Sequence, residues 1–189
     1  MKKLINYNFT NFQSVSKRSM DTAVIFGSGT CPSSSKLYKS AYKLGEFLAS
    51  KGYNIANGGY FGVMEASAKG ASLFNVERIG VVFRGYKSNT NQYLTKVVET
   101  KSYLERLSKL IELGNVYFVF EGESGTLLEF FALLALTKRG EINKKVFCIG
   151  KKWIRIKKFF KKQMEFLDNV PDKKFYFFES LDELIEKLI

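Results

Sequence analysis

The sequence predicts an α/β fold, a mostly parallel sheet covered by helices on both faces, on three observations. Short runs of β-branched and aromatic residues alternate with apolar segments of helical length. Three glycine turns (residues 27–30, 58–62 and 122–125) each follow one of those runs directly. A chain of 189 residues, 46% apolar and 25% charged, is long enough to bury the core of one domain. Alternation of this kind calls for parallel crossovers, and ligands of such sheets bind outside the carboxyl ends of the strands. All three turns converge on that edge, and the site is predicted there.

The first twenty residues carry no acid and no continuous apolar core of the secretory type. Basic and serine-containing, they faintly resemble an organellar transit peptide, but read more simply as a flexible basic leader to a single domain over residues 21–189. Thr22 to Phe26 is a short buried strand, and Gly27-Ser28-Gly29-Thr30 the turn after it. Pro32 and the serines at 33–35 start a helix carrying Leu37, Ala41, Leu44 and Leu48 at helical spacing, which Gly52 ends. Tyr53 to Ala56 is the next strand. A turn with Gly58, Gly59 and Gly62 then opens a small-residue helix, Glu65 to Leu73, whose alanines and Gly70 permit close packing. Arg78 to Phe83 is the third strand, Gly85 to Gln92 a polar loop, and Val97-Val98 a short strand. Tyr103 to Leu113 is a helix carrying Arg106.

The next stretch, Val116 to Thr137, organises the chain. Val116 to Phe120 reads as a buried strand, Gly122 and Gly125 punctuate the turn, and a helix begins at Thr126. Such a strand, turn and helix N-terminus points backbone N–H groups and the positive end of a helix dipole at an anion. Glu129, in the first helical turn, has two readings: chemistry on a ligand held at the turn, or an acid stabilising its own helix. Val146 to Ile149 is a further strand. Trp153, Ile156, Phe160, Met164 and Leu167 form the apolar stripe of a helix with a basic outer face. Phe175 to Phe178 is an edge strand, and Ser180 with Glu183 caps a last helix running to Ile189.

Composition narrows the chemistry. No apolar run reaches the ~18 residues of a membrane span, so no membrane partner is expected. Two cysteines are too few for a disulfide framework, which makes a reducing, cytoplasmic compartment the default. The absence of histidine removes the commonest general base and metal ligand, leaving carboxylates, Arg, Lys, Tyr or Ser to act and no metal site expected. A formal charge of +12 invites a polyanion, but heavy use of Asn, Ile, Phe and Tyr beside lysine points to a biased genome. Nucleic acid is therefore not the expected partner. Single-strand DNA binding through the basic 144–162 face is the last-ranked reading, and it predicts a steep salt dependence.

At its turns the chain resembles the Lonely Guy family, often mislabelled lysine decarboxylases. The family motif P-G-G-x-G-T-x-x-E is matched by Glu121-Gly122-Glu123-Ser124-Gly125-Thr126-Leu127-Leu128-Glu129. Its G-G-x-x-G-x-M turn is matched by Gly58, Gly59, Gly62 and Met64, and its first nucleotide-side turn by Gly27-Ser28. Its catalytic arginine, on the helix before the motif strand, is matched by Arg106. Together the motifs span about Thr22 to Phe160 and are far more specific in this order than singly.

The resemblance implies a Rossmann-like three-layer αβα homodimer that needs no cofactor. It further implies hydrolysis of the N-glycosidic bond of a purine nucleoside 5′-monophosphate, such as AMP or a cytokinin riboside monophosphate. Arg106 and Glu129 would be catalytic. Gly27, Ser28, Gly58, Gly59, Gly62, Met64, Gly122, Ser124, Gly125 and Thr126 would bind substrate. Three residues depart from the family pattern: Glu121 replaces proline, Glu123 the second glycine, and Leu107 a common lysine. A side chain at 123 is expected to crowd the turn, and two added carboxylates work against anion binding. The molybdenum-cofactor carriers and nucleotide sensors, which also resemble this family, supply the alternative of a non-catalytic binding module. Tyr60, Phe61 and Trp153 are expected in the core or a dimer interface. Met64 is expected as a core contact, and Cys31, beside a helix start that favours thiolate, as a packing residue.

Overall fold

The computed structural model describes residues 21–84, 89–163 and 174–188, with side chains of 160–163 left out. The leader, the first half of the polar loop (residues 85–88), Met164, Leu167 and Ile189 lie outside the described residues. Strands β1 (Thr22–Phe26), β2 (Asn54–Asn57), β3 (Arg78–Phe83), β4 (Lys96–Thr100), β5 (Val116–Phe120), β6 (Lys145–Ile149) and β7 (Phe175–Phe178) form one sheet in the order β4-β3-β2-β1-β5-β6-β7. Every pairing is parallel, in registers such as Ala23 with Val116 and Val24 with Ala56. Helices α1 (Lys36–Ser50), α2 (Val63–Ala71), α3 (Tyr103–Leu113), α4 (Ser124–Lys138), α5 (Lys151–Gln163) and α6 (Leu181–Leu188) cover it.

Successive strand residues face opposite ways, so one sheet feeds two cores. On one face Ala23, Ile25, Phe118 and Phe120 join Leu44, Leu48 and Ala66 of α1 and α2, and Leu184 of α6. On the other, Val24, Phe26, Tyr117 and Val119 join Leu110, Phe130, Leu133 and Trp153 of α3, α4 and α5. This is the expected three-layer αβα arrangement. Helices α1 and α2 touch at backbone distance: a Cβ on Gly70 would lie 2.0 Å from the Tyr42 carbonyl oxygen.

Boundaries differ from the sequence expectation in instructive places. Helix α2 begins two residues early, because the Gly62 turn delivers Val63 straight into the helix, and it ends at Ala71, leaving Leu73 exposed. Helix α4 likewise begins at Ser124, inside the glycine stretch, with Glu123 as an extended N-cap. Strand β4 is longer than Val97-Val98 because main-chain pairing to β3 carries exposed residues into it. At α6 the Glu183 N–H donates to Ser180 Oγ, while the Glu183 carboxylate accepts from the Glu179 N–H.

The chain winds from β1 through β4 to one side, then returns to place β5 on the other side of β1. Helices α1 and α4 therefore diverge from neighbouring strands, opening the crevice where such sheets bind ligands.

Candidate active site

The turns after β1, β2 and β5 interlock at that crevice. The Ser28 N–H donates to the Glu121 carbonyl at 3.1 Å, and the Val63 N–H to the Ser28 carbonyl at 2.9 Å. Gly62 holds a φ of +64°, and a Cβ there would sit 2.4 Å from the Ser28 oxygen. Asn57, fully buried, braces the middle turn: Oδ1 accepts the Gly59 N–H, and Nδ2 donates to the Met64 carbonyl and Ser67 Oγ. Asn91 braces it from outside through the Gly59 and Tyr60 carbonyls.

An open cavity of about 180 Å³ lies between the turns. Gly27, Gly58, Met64, Gly125 and Thr126 line it together with Arg106 and Glu129. Gly29, Tyr60, Tyr103 and Glu123 also line it, with Ile25 and Phe26 at its base in β1. Of the residues named from sequence, Ser28, Gly59, Gly62, Gly122 and Ser124 shape or back the turns instead of lining the cavity. Met64, expected in the core, is half-buried at the cavity, and Tyr60 stands in its wall. Trp153 is a core residue as expected. Cys31 packs against the α1 core, and burial pushes its thiol up, so the thiolate is not favoured there.

Arg106 and Glu129 meet in this cavity. Arg106 is 5% exposed and Glu129 7%. A guanidinium Nη of Arg106 lies 3.8 Å from Glu129 Oε1, an ion pair too long for a direct hydrogen bond. The Arg106 Nε donates to the Val81 carbonyl at 2.8 Å. The rings of Tyr60 and Tyr103 each approach the guanidinium, with centroids 5.5 Å away. Gly58 makes this placement possible, since a Cβ there would lie 1.7 Å from an Arg106 nitrogen.

Glu129 is the sixth residue of α4, beyond the first turn where a helix dipole favours an acid. Its electrostatics agree with that position. Burial pushes its carboxyl up to about 8, with Arg106 pulling the other way. From that position Glu129 adds little to the start of its own helix.

The two unexpected glutamates do different jobs. Glu121 turns toward α5, where its carboxylate accepts the Lys152 N–H at 2.8 Å. Glu123 does not obstruct its turn: φ of −90° is ordinary extended backbone, and the side chain reaches back to β1's turn. There Oε1 accepts the Ser28 hydroxyl at 2.6 Å and the Thr30 hydroxyl at 3.0 Å. The Ser28 bond, with Thr30 adding to it, holds this carboxyl below the usual range against partial desolvation.

A second recess of about 530 Å³ opens beside the first and shares Tyr60, Tyr103 and Arg106 with it. Phe61, Phe83 and Asn89 form its remaining wall. Sequence reading missed its aromatic character, although Tyr60-Phe61 next to a glycine turn was the available signal.

A Rossmann-like fold with a buried Arg–Glu pair at its switch point defines the class. The model of the SLOG cluster4 family matches residues 20–174, and the chain belongs to that LOG-like family. Among solved structures it resembles the structural-genomics target TM1055, with a TM-score of 0.67 and 22% identity over 88% of this chain and 97% of that one. It also resembles the molybdenum cofactor binding protein of the phototrophic bacterium Rippkaea orientalis, with a TM-score of 0.65 and 22% identity over 90% and 96%. The molybdenum cofactor carrier protein of Chlamydomonas reinhardtii follows at 0.59 and 20%, over 88% and 94%. These likenesses establish the fold. A stretch of 47 residues is 51% identical to an uncharacterized protein of Archaeoglobus fulgidus, spanning 25% of this chain and 30% of that protein. Among the described residues no helix is long and apolar enough to cross a membrane.

The raised Glu129 carboxyl has a consequence for stability. Between its ordinary value of 4.5 and about 8, the folded state keeps a proton that the unfolded state has released. Its contribution is therefore fully present below about pH 4.5 and lost as pH rises toward about 8. Urea melts of wild type and Glu129→Gln across that range should show the wild-type advantage shrinking with pH. A constant difference would contradict the burial assigned to Glu129.

Proposed function

We propose that this chain hydrolyses the N-glycosidic bond of a purine ribonucleoside or its 5′-phosphate, releasing free base and the ribose portion. The observation that carries the reading is the buried Arg106–Glu129 pair in a cavity of sugar size beside an aromatic recess. Breaking a ribosyl C–N bond develops oxocarbenium character, as glycoside hydrolysis does. Glu129, as carboxylate, stabilises that cation and orients or deprotonates the attacking water. Arg106, fixed by the Val81 carbonyl and two tyrosine rings, holds Glu129 and the leaving-group side of the substrate. Tyr60, Phe61 and Phe83 offer the base an aromatic wall. The residues assigned act without a metal or redox cofactor, and the cytoplasm, where nucleosides and nucleotides are abundant, is the proposed location.

The second reading, a non-catalytic carrier of a nucleotide-type ligand, is favoured by the likeness to molybdenum cofactor carriers. It predicts saturable binding with the ligand recovered intact. The hydrolase reading predicts base release from purine nucleosides or their monophosphates that rises with pH through about 8. It also predicts that Glu129→Ala and Arg106→Ala each lower that release about a hundredfold or more. Chromatographic assay of free base decides the matter: no release above the Glu129→Ala level sinks the enzyme.

A homodimer is proposed on the apolar surface of α3 and α4, where Leu104 is 70% exposed on the one helix and Leu127 and Leu128 are exposed on the other. Light scattering after gel filtration should give twice the chain mass for wild type and a shift toward the monomer for Leu104→Glu. A monomeric wild type would remove this proposal.

A further inference from the structure

We infer that Glu123 makes the site selective for the free nucleoside over its 5′-monophosphate, a reading that rests on the proposed N-glycosidase activity and specifies its substrate class. The first turn of a helix leaves backbone N–H groups without intrahelical partners, and at α4 these belong to Ser124, Gly125 and Thr126. With the hydroxyls of Ser28 and Thr30 opposite, they make up the donor set that a phosphate would use. A carboxylate already takes the hydroxyl half of that set, while making no hydrogen bond to the N–H groups of the helix start. Glu123 is the N-cap of α4, and its Oε1 takes both hydroxyls from across the crevice.

The same side chain lines the cavity that holds Arg106 and Glu129, so it bears on whatever ligand sits against that pair. Its hydrogen bonds stabilise the charged form and keep it anionic at neutral pH. A phosphate dianion placed at this turn would meet a fixed negative charge and two hydroxyl donors already engaged. A free 5′-hydroxyl meets an acceptor in the same place, because an ionised carboxylate has lone pairs to spare after two hydrogen bonds. One residue therefore both repels the phosphorylated ligand and rewards the dephosphorylated one.

The experiment compares kcat/KM for adenosine, guanosine and inosine with that for their 5′-monophosphates, using the purified full chain. Wild type should prefer the nucleoside by about tenfold or more, the effect of one close charge repulsion against a dianion in partly exposed surroundings. Glu123→Gln and Glu123→Gly should both move the ratio toward the monophosphate, the glycine variant further. The glutamine variant keeps the shape of the turn and serves if the glycine variant folds poorly. A wild-type preference for the monophosphate overturns the inference, as does a ratio that neither variant changes. Base released from neither substrate defeats the hydrolase reading instead. In that case calorimetric binding of the same nucleoside and monophosphate pairs reads the selectivity directly, tighter nucleoside binding upholding the role of Glu123 and tighter monophosphate binding refuting it.

Discussion

A guanidinium and a carboxylate, both nearly out of water, can be held apart in a cavity only if everything around them is arranged for it. Burying either charge alone is costly, and their mutual attraction offsets that cost only when further hydrogen bonds satisfy the remaining donors and acceptors. Arg106 meets this demand through the Val81 carbonyl and the faces of Tyr60 and Tyr103. Glu129 meets it incompletely, and its carboxyl shifts upward. The unmet part of that demand is what a ligand can supply, and perturbed carboxyls of this kind concentrate where chemistry is done.

The fold delivers the pair from opposite directions. Arg106 arrives on α3, before β5, and Glu129 on α4, after it. The side chains can meet only at the sheet edge where β5 lies beside β1. Close packing there depends on Gly58, whose missing Cβ leaves the space that Arg106 fills. The buried amides of Asn57 and Asn91 hold that turn in place, so the geometry is set by backbone anchored to buried side chains. Glu121, sitting where the family pattern has proline, joins this edge through its carbonyl, which accepts the Ser28 N–H, but turns its side chain away. It secures the start of α5 instead.

Much of this was legible in the sequence because its causes are local. Buried parallel strands appear as unbroken β-branched and aromatic runs, and β1, β3 and β5 lie where such runs stand. Glycine turns announced the edge, and the resemblance to the Lonely Guy motifs named Arg106 and Glu129 as a pair. What escaped was non-local or carried by main chain. Strand β4 owes its length to pairing with β3, which leaves no mark on exposed residues such as Lys96. The Asn91 brace reaches back to Gly59 and Tyr60, and nothing in a polar loop foretells that. Glu123 was visible as a departure, yet its effect was not. Its partners, Ser28 and Thr30, are more than ninety positions away, and they convert an expected obstruction into a hydrogen-bonded feature.

The central claim is that Arg106 and Glu129 work as one unit. A double-mutant cycle on base release measures this directly, using Arg106→Ala, Glu129→Ala and the double variant. If the pair acts as a unit, the double variant loses no more kcat/KM than the worse single variant. Losses that multiply, as for two independent residues, would contradict the account.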